Sequence, residues 1–260
     1  MWFLREHGGA TIGDLARVMR VSPVTIHRDL ERLAREGQVE RVQGGARLAG
    51  TDTVVSNWAL RRRQQAREKR AIAVHAARLV ESGSTIFVDS STTGLAFAEE
   101  LALRPGLGLT LVTNSPAIAS RIDAPSIHVV ITPGELNQEL RMIGGHWTLE
   151  FLQTLKFATA FISGASLDLE QGLGSMTRLL ADVLNAARSG SEQTVALVDS
   201  SKFGRTSLLQ VAPLGDLPLI ITDDGLRIAA QEEYKRAGAR LLVAPLIGNG
   251  TALRSPDAGA

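Results

Sequence analysis

Apolar positions follow one rhythm over the first fifty residues and another beyond them. Ile12, Leu15, Ala16 and Met19 recur at helical spacing, with Asp14 and Arg17 between them, which predicts a short helix over 11–19. Ser22-Pro23 then supplies an N-cap and a first-turn proline for a second helix reaching about Glu36. Its apolar line is Ile26, Leu30, Leu33 and Ala34, and Gly37 marks its end. Val39–Val42 and Ala46–Leu48 read as two short strands joined by a Gly44-Gly45 turn. Residues 51–60 have the look of linker, and a further helix is expected over 64–80. From Thr85 onward, strand-like runs at 85–88, 109–113, 127–131, 158–162, 194–198, 217–221 and 240–243 alternate with helical patterns at 93–103, 116–121, 147–155, 177–187 and 226–237. The runs are continuously apolar, as strands covered on both faces are, so the larger part reads as an α/β domain on a mostly parallel sheet. The expected organisation is 1–50, 51–63 as linker, 64–250, and a tail over 251–260.

Two short helices joined by a tight turn, followed at once by a small hairpin, form the pattern of a winged helix-turn-helix. The second helix of such a unit meets base edges with its early residues. Ser22, Thr25, His27 and Arg28 stand there, and Arg41 and Arg47 fall on the wing. Arginine offers paired donors to guanine, and hydroxyls suit bases or phosphates. Taken alone, the same helices also fit a plain helical hairpin in which Arg28 pairs with a carboxylate.

Charge favours the first reading. Residues 1–75 hold 14 Lys/Arg against 8 Asp/Glu, whereas the other 185 hold 14 against 19. A basic head on an acidic body suits a polyanion-binding module joined to something else. Part of the excess is the run Arg61-Arg62-Arg63, which fits either a solvated helix face or phosphate contact. With aromatics at 4%, no stacking platform for single strands stands out, so duplex DNA is the better polyanion. Cysteine is absent, which removes disulfides, thiolate catalysis and zinc fingers. No apolar run has membrane-spanning length, so a cytoplasmic protein with no membrane partner is expected.

Polar residues gather where the predicted strands end. Asp89-Ser90-Ser91-Thr92-Thr93 follows the first strand of the larger domain, Thr113-Asn114-Ser115 the second, Pro133-Gly134 the third and Asp199-Ser200-Ser201-Lys202 the fifth. Ligands of parallel sheets bind beyond these carboxyl ends. Hydroxyls and amide N–H groups at helix starts, with Lys202 near, suit an anion or phosphate, and Asp89 and Asp199 suit sugar hydroxyls. Each loop alone is equally explained by ordinary helix capping. A catalytic use of the same pocket needs a base, for which Asp89, Glu135 and Asp199 are the carboxylate candidates. Of the five histidines (His7, His27, His75, His128 and His146), none has metal-binding spacing. His128 reads as a core residue, and His146 as structural or beside a ligand. No nucleotide fingerprint occurs, so no cofactor is expected.

These pieces together resemble the DeoR family of bacterial sugar-metabolism regulators over nearly the whole chain. The amino-terminal match is Val21-Ser22-Pro23-Val24-Thr25-Ile26-His27-Arg28-Asp29-Leu30, then Leu33, Gly37 and Gly44-Gly45-Ala46. In the larger part it is Glu68-Lys69-Arg70-Ala71-Ile72-Ala73, the 89–93 loop, Thr113-Asn114-Ser115, the 199–204 loop and Thr222-Asp223. The resemblance implies a sensor domain related in fold to ribose-phosphate isomerase and glucosamine-phosphate deaminase. It also implies a homo-oligomer on double-stranded operator DNA, repressing until a phosphorylated sugar effector binds. His27 stands where the family usually has arginine, Ser91 where it usually has glycine, and Pro133-Gly134 where it usually has Gly-Gly. The alternatives are an isomerase-like enzyme with a DNA-binding head and an interaction module with an empty pocket.

Overall fold

The computed structural model describes residues 9–42, 45–48 and 58–246. His7, Gly44, the first part of the expected linker and the expected tail lie outside these residues. The chain divides at Gln64/Gln65 into two compact units.

The first unit begins with β1 (Gly9–Thr11) and the helices α1 (Ile12–Met19) and α2 (Pro23–Arg35), then β2 (Val39–Val42) and β3 (Gly45–Leu48). Thr11 caps α1 by accepting from the Asp14 N–H, and Ser22 caps α2 by accepting from the Thr25 N–H. α2 closes with two carbonyls satisfied in sequence: Gly37 N–H donates to Ala34 O and Gln38 N–H to Leu33 O. Leu15, Ile26, Leu30, Val39, Ala10 and Ala46 form the core. β3 lies between β1 and β2, antiparallel to both. Gly45, expected in a turn, is therefore the first residue of β3. A Cβ there would collide with the Ala10 carbonyl of β1, so glycine admits the third strand. The second half of the expected linker is a helix, α3 (Trp58–Arg63), in which the Arg62 guanidinium lies 6.0 Å from the Trp58 ring centroid.

In the second unit α4 (Ala66–Ala77) leads to β4 (Thr85–Val88), α5 (Thr92–Ala102), β5 (Leu109–Thr113), α6 (Pro116–Ala119) and β6 (Ile127–Ile131). A hairpin, β7 (Glu135–Asn137) and β8 (Met142–Gly144), precedes α7 (His146–Gln153) and β9 (Phe157–Ile162). Next come β10 (Ser166–Asp168), β11 (Gly172–Ser175), α8 (Arg178–Ser189), β12 (Ser191–Leu197) and β13 (Leu209–Ala212). β14 (Leu219–Asp223), α9 (Ile228–Arg236) and β15 (Leu241–Ala244) follow.

Seven of these strands form one parallel sheet in the order β15-β14-β12-β9-β4-β5-β6. Its centre is covered on both faces: Ile86, Phe87 and Val88 of β4 are at most 1% exposed. Phe97 of α5 packs on Phe161 of β9, ring centroids 4.4 Å apart, and Phe87 on Phe157 at 5.8 Å. That double coverage is why the strands read as unbroken apolar runs. β6 is an edge strand, and His128, expected in the core, is exposed on it. The strands β7, β8, β10, β11 and β13 were not expected. They have three or four residues each and pair in two small antiparallel sheets. No helix among the described residues is long and apolar enough to cross a membrane.

The order of strands positions the site. From β4 the chain adds β5 and β6 on one side, then returns to add β9, β12, β14 and β15 on the other. The reversal falls between β4 and β9, and a crevice opens at such a switch point beyond the strand ends.

Candidate functional site

In the first unit the candidate residues cluster on α2 and β2. Ile26 and Leu30 are 6% and 3% exposed, so the face carrying Arg28 points away from the core. Ser22 and Thr25 are partly spent on the helix start, since their hydroxyls lie 2.8 Å apart and Ser22 Oγ accepts from the Thr25 N–H at 3.1 Å. His27 and Arg41 occupy one another. Arg41 Nη1 donates to the His27 carbonyl at 3.3 Å, and Nη2 lies 3.0 Å from His27 Nε2. A guanidinium has only donors, so Nε2 is the acceptor and the ring proton sits on Nδ1. That nitrogen lies 3.3 Å from Glu31 Oε1. The Glu31–His27–Arg41 chain thus ties the wing strand to α2. Arg28 is exposed, and its side chain makes no hydrogen bond or ion pair among the described residues. Arg47 lies in β3 opposite Gly9 and Glu40, and its side chain falls outside the description.

In the second unit the expected loops all lie at the carboxyl edge of the parallel sheet, and Asp89 sits at the switch point. It is 1% exposed. Its Oδ1 accepts from the Ser91 hydroxyl at 2.6 Å and its Oδ2 from the Ser163 N–H, just past β9, at 3.2 Å. Ser91 caps α5 through the Gly94 N–H at 2.8 Å. Ser90, Thr92 and Thr93 are buried around this helix start, at 6%, 8% and 3% exposure. One strand over, Thr113 Oγ1 donates to Val88 O, and Ser115 caps α6 through the Ile118 N–H. Asn114 exchanges bonds with Ile143 of β8: its side-chain Nδ2 donates to Ile143 O at 3.2 Å, and its backbone carbonyl accepts from Ile143 N–H at 2.8 Å. Asn114 Oδ1 and, past β6, Thr132 Oγ1 are buried with no partner. Gly134 is exposed.

Two strands from Asp89 on the other side, about 10 Å away at normal strand spacing, stands Asp199. Its carboxylate accepts from both the N–H and the hydroxyl of Ser201. Asp223 at the end of β14 accepts from Ser200 N–H at 2.7 Å and Gly225 N–H at 3.0 Å. The loop carrying half-buried Lys202 is anchored by Tyr234 of α9. The phenol donates to Leu167 O at 2.7 Å and accepts from Gly204 N–H at 3.1 Å, while its ring meets Phe203 edge-on at 4.9 Å. Burial raises the Tyr234 pKa above the ordinary phenol value, against the lowering effect of the Gly204 bond.

Ser163, Thr132, Asp223 and Tyr234 were not among the expected site residues. A signal for the first was present: Ser163 follows an apolar run just as Asp89 and Asn114 do. An open cavity of about 460 Å³ between α7 and α8, with Lys156, Arg178 and Asn185 in its lining, is a different place. Lys156 and Gly190 precede β9 and β12, so it opens at the amino ends of the strands, away from the polar loops. His146 is exposed and pairs with Glu150 at 3.1 Å. Among the described residues no three His, Cys, Asp or Glu side chains cluster to hold a metal.

Comparison with known proteins adds a lineage to this geometry. Residues 2–51 match the DeoR-like helix-turn-helix domain, and residues 64–224 match the DeoR C terminal sensor domain. An uncharacterized HTH-type transcriptional regulator of Escherichia coli K12, YgbI, is 33% identical over 240 residues, covering 92% of this chain and 93% of that protein. The HTH-type transcriptional repressor GlcR of Bacillus subtilis is 30% identical over 242 residues, covering 93% and 92%. Among solved structures, ribose 5-phosphate isomerase A of Methanocaldococcus jannaschii aligns over 54% of this chain and 55% of its own, at 19% identity and a TM-score of 0.40.

Proposed function

The chain belongs to the DeoR family of DNA-binding transcriptional regulators, and from that premise we propose that it represses carbohydrate-metabolism genes until a phosphorylated sugar binds its larger domain. Two of its relatives are named as repressors, GlcR and the putative aga operon repressor of E. coli O157:H7. The labour divides between residues 1–50 on DNA and residues 64–250 on the effector. In a homo-oligomer, α2 of each copy enters the major groove of one half-site of double-stranded operator DNA. Arg28 donates to guanine O6 and N7; Ser22 and Thr25 meet the adjoining backbone or base edges. Arg41 holds the wing to α2 through His27, and Arg41 and Arg47 present positive charge to phosphates.

The effector reading is carried by one observation. Asn114 Oδ1 and Thr132 Oγ1 are buried and unpartnered at adjacent strand ends, next to the switch point. Buried polar atoms cost free energy when left unpaired, so a polar ligand there gains two ready acceptors. The start of α5, with Ser90, Ser91, Thr92 and Thr93, suits its phosphate. Lys202 approaches from the Asp199 loop, and Gly134 borders the cleft. Asp89 holds the Ser91 hydroxyl of its own loop and the Ser163 N–H past β9, and Asp199 holds Ser201 of its own loop, so both act as scaffolding for the cleft and the isomerase-like alternative is set aside. Release from DNA requires that the sugar phosphate bind one arrangement of the protein more tightly than the other.

A panel of sugar phosphates screened by thermal shift, with each hit titrated into an operator complex, tests both halves. At least one compound is expected to raise the melting temperature and weaken operator binding. No stabilising compound across the panel sinks the sensor reading, and turnover of a hit by the purified protein restores the enzyme alternative.

A further inference from the structure

One side chain on the outward face of α2 has no part in the assignments above. Val24, the second residue of the helix, is 79% exposed, and no large apolar side chain among the described residues is more so. It lies across the helix from buried Ile26 and Leu30, one turn before Arg28. The neighbouring hydroxyls of Ser22 and Thr25 are turned to each other in the cap, so Val24 is the protruding group of the first turn. A valine in that position has no core to fill and gains only from a second apolar surface. In the major groove the apolar feature of a base edge is the C5-methyl of thymine.

We infer that Val24 is a specificity-determining residue that contacts a thymine methyl group close to the guanine met by Arg28. Four residues of helix advance about 6 Å, so the two bases lie within about two base-pair steps of one another. The valine methyls close over the thymine methyl and exclude water from both, while Arg28 supplies the directional bonds. One residue reads shape and the other reads donors and acceptors. The inference rests on the placement of α2 in the groove.

The test uses the full chain and a duplex selected by it from a random library. Each thymine is replaced singly by deoxyuridine, which removes only the methyl group, and each guanine by 7-deazaguanine, which removes the N7 acceptor. Binding is read by competition against the unmodified duplex. One thymine per half-site is expected to weaken binding about fourfold when replaced by uridine. V24A is expected to bind the thymine and uridine duplexes equally while keeping its dependence on the guanine N7. If guanine N7 matters and no thymine methyl does, the Val24 assignment is wrong and the groove placement stands. If neither matters, both are wrong. A uridine effect that persists undiminished in V24A also overturns the assignment. So does a V24A protein that loses affinity equally on every duplex and sediments as a smaller species, because the valine then joins copies of the chain.

Discussion

Gly94→Ala sets two physical effects of opposite sign against each other at the switch point. Helix propensity alone predicts a gain, since alanine is favoured over glycine within a helix by up to about 1 kcal/mol. The structure predicts a loss. A Cβ on Gly94 would stand 2.7 Å from Asp89 O and 2.8 Å from Asp89 Oδ1, closer than the 3.0 Å that real Cβ atoms respect. Asp89 has little room to give. Its carboxylate is held by Ser91 Oγ at 2.6 Å and Ser163 N–H at 3.2 Å, and its own N–H donates to Phe161 O at 3.3 Å. Overpacking of this kind costs about 1–3 kcal/mol, and loosening one hydrogen bond to a buried charge costs about 1.5–3 kcal/mol more. After the propensity gain is subtracted, a net loss of about 1.5–5 kcal/mol remains, or at least about 3 °C in Tm for a unit of this size. Gly13→Ala is the matched control. It also lies in a helix, but its Cβ would meet only Thr11 Oγ1, at 3.8 Å, so it is expected to gain about 0.5 kcal/mol. Thermal melts of both variants followed by circular dichroism decide the matter. A Gly94→Ala protein that melts at or above the wild type refutes the reasoning.

Four further outcomes follow from the same geometry. Thr132→Val removes a buried hydroxyl that has no partner; the free protein is expected to be as stable or up to about 1 kcal/mol more so, and sugar-phosphate affinity is expected to fall in calorimetry. A stability loss above about 1 kcal/mol in urea melts counts against the hydroxyl being unpaired. Tyr234→Phe removes the phenol's bonds to Leu167 O and Gly204 N–H, which still bond to each other at 2.9 Å, so it is expected to cost about 0.5–1.5 kcal/mol in the same melts. Because burial raises the Tyr234 pKa, its contribution is complete below the ordinary phenol pKa near 10 and is lost as pH climbs through the raised value. Wild-type stability should therefore fall more steeply than that of Tyr234→Phe above about pH 10, and parallel curves would contradict this. Arg28→Ala should reduce operator affinity about tenfold or more with little change on random DNA, whereas Arg47→Ala should weaken both alike; equal losses for both variants on both duplexes would dismiss the division of roles.

Local chemistry was enough to read the helix-turn-helix. Thr11, Ser22-Pro23 and Gly37 mark helix ends through bonds to neighbours three to five residues away, so their signals survive in a linear string. The parallel sheet was legible for a similar reason, since burial on both faces writes each strand as an apolar run regardless of which strand lies beside it. The placement of polar loops at strand ends, and hence Asp89, Asn114 and Asp199 as a group, followed from those runs. What the tertiary structure alone decided depends on residues far apart in the chain. Gly45 looks like a turn residue until β1 passes over it. His128 sits in an apolar run like its neighbours, and only the strand order puts it on the edge. Ser163 meets Asp89 across 74 residues, and Tyr234 reaches the Asp199 loop across 30. Arg41 and His27 lie 14 residues apart in the sequence, and only the folded unit brings them into contact. Periodicity reports which face of an element is buried, and capping reports where it ends; neither reports its neighbour, because pairing is settled only when separate elements pack together.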